Sequence, residues 1–207
     1  MAEALTLVDE FDGGLGWTED AFLGRTSHAL VADGGVWLVD PVDPEASDGA
    51  SRATAALGDV AGVIQLLDRH SRDSAKLADR FGVEHVVAYA GQNGTPFELV
   101  PLVRRPWREV ALWWPERRVL VCADALGTIG YFLSIGDRIG VHPLLRLVPP
   151  RRLAPLGPEH VLVGHGEGIH EDATPALHEA LATARRRAPG VLVGAVRARG
   201  RRRGEDV

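Results

Sequence analysis

Hydrophobic and polar positions alternate in short blocks along this chain, and the blocks predict an alternation of strands and helices. Leu5 to Val8 is a short apolar strand, followed by a loop carrying Gly13, Gly14 and Gly16. Residues 27–32 and 36–39 flank Asp33-Gly34-Gly35, a strong hairpin signal, and Asp40-Pro41 ends the second strand. A weak helix is expected over Ala46 to Leu57, then a buried strand from Val60 to Leu67. Ala75, Leu77, Ala78 and Phe81 have helical spacing and predict a helix over 74–81. Glu84 to Tyr89 completes a strand, helix, strand unit of the kind that pairs in parallel. Three short strands follow, at 97–100, 109–113 and 119–123, the last two joined by the turn 115–118. The stretch 126–158 is irregular, with one short helix near Leu144. His160 to Val163 is the last strand, and Thr174 to Arg186 a closing helix with Thr174 as its cap.

Composition narrows the classes without choosing among them. With 207 residues, 45% apolar and 25% charged, the chain reads as an ordinary globular protein. One domain is expected over residues 1–190, with an Arg-rich, disordered tail over 191–207. No apolar run approaches the length of a membrane span, and Met1-Ala2-Glu3-Ala4 does not resemble a leader, so cytoplasm is the default location. Cys122 is the lone cysteine, which excludes an intrachain disulfide and a four-cysteine zinc site. Residues 185–207 carry a net +6, leaving residues 1–184 at about −11. A body this acidic is a poor binder of nucleic acid, which is not an expected partner. A small molecule is the expected ligand, and homo-oligomerisation is left open.

The candidate chemistry gathers at strand ends. Asp68 and His70 follow the strand ending at Leu67, Asp124 follows 119–123, and His165 follows 160–163. A parallel or mixed sheet brings such ends to one edge, where carboxylates and imidazoles form the donor set of a zinc, iron or manganese site. Rival signals are weaker. Ser71 and Ser74 lack a G-x-S-x-G elbow, Cys122 lies inside an apolar strand, and Gly164 to Gly168 lacks the Lys and Ser or Thr of a P-loop. His142, His170 and His178 fit no pattern and read as surface residues.

The series of segments resembles the metallo-β-lactamase superfamily. Ala29 to Pro41 is similar to that family's opening hairpin, and Asp68 to Asp73 stands at its H-x-H-x-D-H motif. Pro115 to Leu126 is similar to the hairpin delivering a metal-bridging Asp, and Val161 to Gly166 to the strand presenting the last His. The resemblance covers about residues 5 to 185 and implies a four-layer αββα sandwich of two mixed β-sheets. It implies a metal-dependent hydrolase with His70, Asp124 and His165 as metal ligands and Asp68 as a further one.

The departures limit this expectation. Asp68 replaces the first motif His, Arg72 the motif Asp and Asp73 the third His, and no histidine stands between His85 and His142. A guanidinium cannot ligate and repels a divalent cation, so at most one ion is expected, of zinc, manganese or iron, or none. Arg72 is expected to pair with Asp124 or Asp73, and Arg72 and Asp73 are the candidate catalytic residues. The expected substrate is a small ester, thioester or phosphoester. The alternative is a non-catalytic ligand-binding or assembly module on the same scaffold, its cleft filled by an Arg72-carboxylate network and shaped by Trp107 and Arg108.

Overall fold

A computed structural model of the chain describes residues 5–20, 23–102 and 107–202, the last stretch as backbone alone beyond residue 188. The first sheet has six strands, β1 (Leu5–Phe11), β2 (Gly14–Glu19), β3 (Thr26–Ala32), β4 (Gly35–Val39), β5 (Val60–Gln65) and β6 (Glu84–Val87), lying side by side in chain order. Its first four strands pair antiparallel, whereas β4, β5 and β6 run parallel. Helices α1 (Asp48–Leu57) and α2 (Ser74–Phe81) supply the crossovers that parallel pairing requires. The second sheet contains β7 (Glu98–Pro101), β8 (Val110–Trp114), β9 (Val119–Cys122) and, beyond the small β10–β11 pair (Leu126–Gly127 with Gly140–Val141), β12 (His160–Val163). Its order is β12-β9-β8-β7, with β12 and β9 parallel and the other pairs antiparallel. Helix α3 (Ala173–Arg202) closes the chain.

Strand alternation sorts the apolar side chains into three clusters. Leu30, Val39 and Ile64 of the first sheet meet Leu112, Val121 and Leu162 of the second. Their strand neighbours Ala29, Leu38 and Val63 turn the other way, onto Ala50 of α1 and Leu77 and Ala78 of α2. On the far face of the second sheet, Ala111, Leu120 and Val161 pack on Ala176, Leu177 and Ala180 of α3. The order is helices, sheet, sheet, helix, an α/β architecture with two mixed sheets.

Most predicted elements sit within a residue or two of their observed ends, and two differences are informative. Gly14 and Gly16 lie inside strand β2, where glycine read as loop. A Cβ on Gly14 would stand 2.1 Å from the Ala29 carbonyl oxygen, so this glycine permits a close strand approach. Helix α3 continues as backbone to Arg202, past its expected end at Arg186 and through most of the segment expected as a tail; residues 203–207 lie outside the described residues. No helix among the described residues is long and apolar enough to cross a membrane.

Candidate functional site

Parallel pairing aligns the strand ends that carry the candidate residues. Val163 of β12 stands opposite Cys122 of β9, so Asp124 and His165, each two residues further on, leave the same edge together. In the other sheet Val39 stands opposite Ile64, which puts Asp40 and the loop holding His70 at the matching edge. The two edges are joined where the Thr26 amide donates to the Gly164 carbonyl (2.9 Å) and where Arg25 bridges His165. The site lies at the carboxyl ends of strands from both sheets.

Three side chains converge there. Asp124 Oδ1 lies 3.0 Å from His70 Nε2 and 3.1 Å from His165 Nε2. The outer nitrogen of each ring is already engaged: His70 Nδ1 with Asp40 Oδ2 at 3.0 Å, His165 Nδ1 with the Leu23 carbonyl at 2.8 Å. Carboxylate and carbonyl oxygens only accept, so both Nδ1 atoms carry a proton, and a neutral ring in either place would aim its Nε2 lone pair at Asp124 Oδ1. Three acceptors facing one point need a cation or additional protons among them. Within the protein alone, burial and Arg72 push the His70 pKa down, but the bonds to Asp124 and Asp40 outweigh them and raise it. Burial pushes Asp124 up, and hydrogen bonds from His165 and His70 hold it far below the usual carboxylate range. The donor set, two imidazoles and a carboxylate with each outer nitrogen oriented by an acceptor, could hold a divalent metal.

The surroundings fix Asp124 and roof the cluster. Glu109, buried just before β8, accepts the Asp124 and Ala125 amides on Oε1 (3.1 and 3.0 Å) and the Trp107 indole on Oε2 (2.7 Å). Burial lifts its pKa to about 7 against those bonds. Arg69 donates to Asp124 Oδ2 at 3.2 Å and lays its guanidinium 4.5 Å over the Trp107 ring. His142, expected at the surface, is buried 4.7 Å from Trp107, and burial depresses its pKa to about 4. Phe132 stacks on His165 at 5.9 Å.

Not every residue singled out by the sequence joins this group. Asp68 lies outside the three-residue cluster, its carboxylate 3.4 Å from Arg69. Asp73 accepts the Asp43 amide at 3.0 Å and so ties down the loop after β4. Arg72 departs most from expectation. It is half-buried at φ 39° and donates to the carbonyls of Thr26 (2.5 Å), Asp40 (2.6 Å) and Gly164 (3.0 Å), with no carboxylate of the described residues at ion-pair distance. The expected Arg72-carboxylate network is therefore replaced by a carbonyl clamp, because loop geometry carries the guanidinium behind the cluster and leaves the Asp124 pairing to Arg69. Sequence reading passed over Asp40, Arg69 and Glu109. Asp40 alone carried a usable signal, a carboxylate directly after an apolar strand.

Comparisons with known proteins agree with this geometry at the level of the fold. No family model matches the sequence, and no curated protein matches it significantly. Solved structures do. A metallo-β-lactamase from Pontibacter korlensis superimposes with a TM-score of 0.60 at 13% identity, covering 86% of this chain and 99% of that one. VMB-1 gives 0.59 at 10% identity, over 88% and 97% of the two chains. The DIM-1 metallo-β-lactamase gives 0.52 at 12% identity, over 87% and 98%. The chain has the metallo-β-lactamase fold.

Proposed function

We propose that this protein, built on the metallo-β-lactamase fold, is a metal-dependent hydrolase whose centre holds one divalent ion on His70, Asp124 and His165. The observation carrying this reading is the convergence of the three acceptor atoms while Asp40 and Leu23 hold the outer ring nitrogens. When bound, such an ion supplies Lewis acidity to a carbonyl or phosphoryl oxygen and makes water a nucleophile near neutral pH. The chain's own groups do the rest. Arg69, half exposed beside Asp124, is placed to bind an anionic or developing negative charge. Trp107, Phe132 and His142 give the apolar wall against which the body of a small ester, thioester or phosphoester would pack. Asp68, at the rim beside Arg69, is the candidate for moving a proton. Arg72 and Asp73 act through position, one holding strand ends and the other the loop after β4.

Elemental analysis of protein purified without chelator tests the reading. About one equivalent of zinc, manganese or iron is expected, falling below a tenth in His70→Ala and Asp124→Ala. Hydrolysis of ester, thioester and phosphodiester panels is expected to follow metal content. Two tightly held equivalents that are both lost in Asp124→Ala would refute a single-ion centre. One observation favours a second reading, a non-catalytic binding module: Arg69 already occupies Asp124 Oδ2 and lies over Trp107. That reading requires no metal and no turnover on any panel.

A further inference from the structure

Strand β12 carries a second cluster of imidazoles at its other end. His160 opens the strand, and the chain returns beside it after the loop bearing His165, with Val161 and Ile169 exchanging both backbone hydrogen bonds at 2.9 and 2.8 Å. His160 and His170 form the next pair outward, a position without ladder hydrogen bonds, where side chains on one face approach most closely. Their Nδ1 atoms are 2.9 Å apart. His170 Nε2 donates to Asp9 Oδ1 at 3.1 Å, and that oxygen also takes the Gly168 amide at 2.6 Å. Phe11 packs against both rings, at 4.8 and 6.1 Å. The pair borders a cavity of about 340 Å³ lined also by Arg118, Glu159 and Asp172.

We propose that His160 and His170 form a second metal site, binding one Cu²⁺ or Ni²⁺ ion through their Nδ1 atoms. The Asp9 carboxylate fixes the tautomer of His170: with Nε2–H spent on it, Nδ1 is left as a lone pair, the carboxylate–imidazole arrangement that accompanies metal-ligating histidines. His160 Nδ1 converges on the same point. For a metal–nitrogen distance of about 2.0 Å, that separation subtends roughly 90° at the ion, the angle of tetragonal copper or nickel rather than of tetrahedral zinc. Water from the open cavity completes the coordination.

The local charge favours a cation. Asp9 is buried, and its Oδ2 has no hydrogen-bond partner; it faces His28 Nδ1 at 3.9 Å, which has none either. Burial lowers the His28 pKa, despite the raising effect of Asp9, so that ring brings no compensating charge near neutral pH. A cation on His170 compensates the carboxylate through the ring. Arg118, the one cation lining the cavity among the described residues, is spent on the Gly157 carbonyl and on Glu159, both at 2.7 Å. An ion at this pair would pin the base of the loop that presents His165 and join it to β1 through Asp9.

Cu²⁺ titration of the chelator-stripped full chain tests the site, in an Asp124→Asn/His165→Ala background that removes the first cluster. One equivalent is expected, with a paramagnetic resonance spectrum showing two imidazole nitrogens. His160→Gln and His170→Gln should each abolish it, and Asp9→Asn should weaken it by about 10- to 100-fold. In the unmodified chain, Cu²⁺ beyond the first equivalent should broaden the His160 and His170 ring resonances before those of His178, a readout independent of any variant's folding. Copper affinity unchanged in both Gln variants, a spectrum lacking two nitrogens, or rings left sharp by excess Cu²⁺ would each overturn the site and leave the pair as an imidazole–imidazole hydrogen bond.

Discussion

Asp40 shows how much of the candidate centre depends on one side chain outside it. Its Oδ2 holds His70 Nδ1, and its Oδ1 accepts the Leu66 amide at 2.9 Å, so it fixes both the ring and the strand end that carries the ring. Asp40→Ala is expected to lower metal affinity by about 10- to 100-fold while the fold persists, measured by competition with a chromophoric chelator and circular dichroism. The loss should exceed that of Asp40→Asn, which keeps an acceptor. The three converging residues were legible in the sequence because each follows an apolar run and precedes loop-forming residues. Asp40 was hidden in plain view, since Asp-Pro after a strand reads first as a terminator. Glu109 was hidden for a different reason. A carboxylate just before a buried strand carries no mark of its amide and indole partners, which come from elsewhere in the chain.

At the scale of elements, one carboxylate ties α2 to the loop after β4. Asp43 takes Lys76 at 2.8 Å and Arg80 at 2.6 Å from α2 and caps its own short turn through the Glu45 amide at 3.1 Å. Burial pushes the Asp43 pKa up, but the bonds from Arg80 and Lys76 outweigh it and bring it to about 2. A depressed carboxylate stabilises the fold above its unfolded pKa and loses that contribution as pH falls through the folded one. Urea midpoints should therefore drop between about pH 4 and pH 2 in the native chain, and Asp43→Asn should flatten that part of the profile. The end of β12 is as exacting. A Cβ on Gly164 would stand 2.4 Å from the Ala123 carbonyl oxygen and 2.9 Å from His70 Cε1. Gly164→Ala is expected to cost about 1–3 kcal/mol by overpacking and to reduce bound metal, by denaturation and elemental analysis. Such close approaches explain why β2 escaped the sequence reading. A glycine chosen for a neighbour's backbone looks the same, in one dimension, as a glycine chosen for a turn.

Across the whole molecule, the sheets meet through Arg72 as well as through their apolar faces. Its guanidinium donates to Thr26 and Asp40 in one sheet's strands and end loop and to Gly164 at the end of the other. Arg72→Met would take this donor from the Thr26 and Asp40 carbonyls, while Gly164 keeps the Thr26 amide, and a loss of about 2 kcal/mol in unfolding free energy is expected from urea titration. The layer order was legible only through the resemblance of the segment series to the metallo-β-lactamase superfamily, and the α/β fold with two mixed sheets agrees with it. The clamp was not, because it depends on where a left-handed loop residue aims its side chain. Position 72 thereby serves the joint between the sheets. A carboxylate placed there would meet three carbonyl oxygens, bringing mutual repulsion where a keystone now sits. Room for a second ion is closed to any single substitution at that position, and widening the centre would first require the joint between the sheets to be rebuilt.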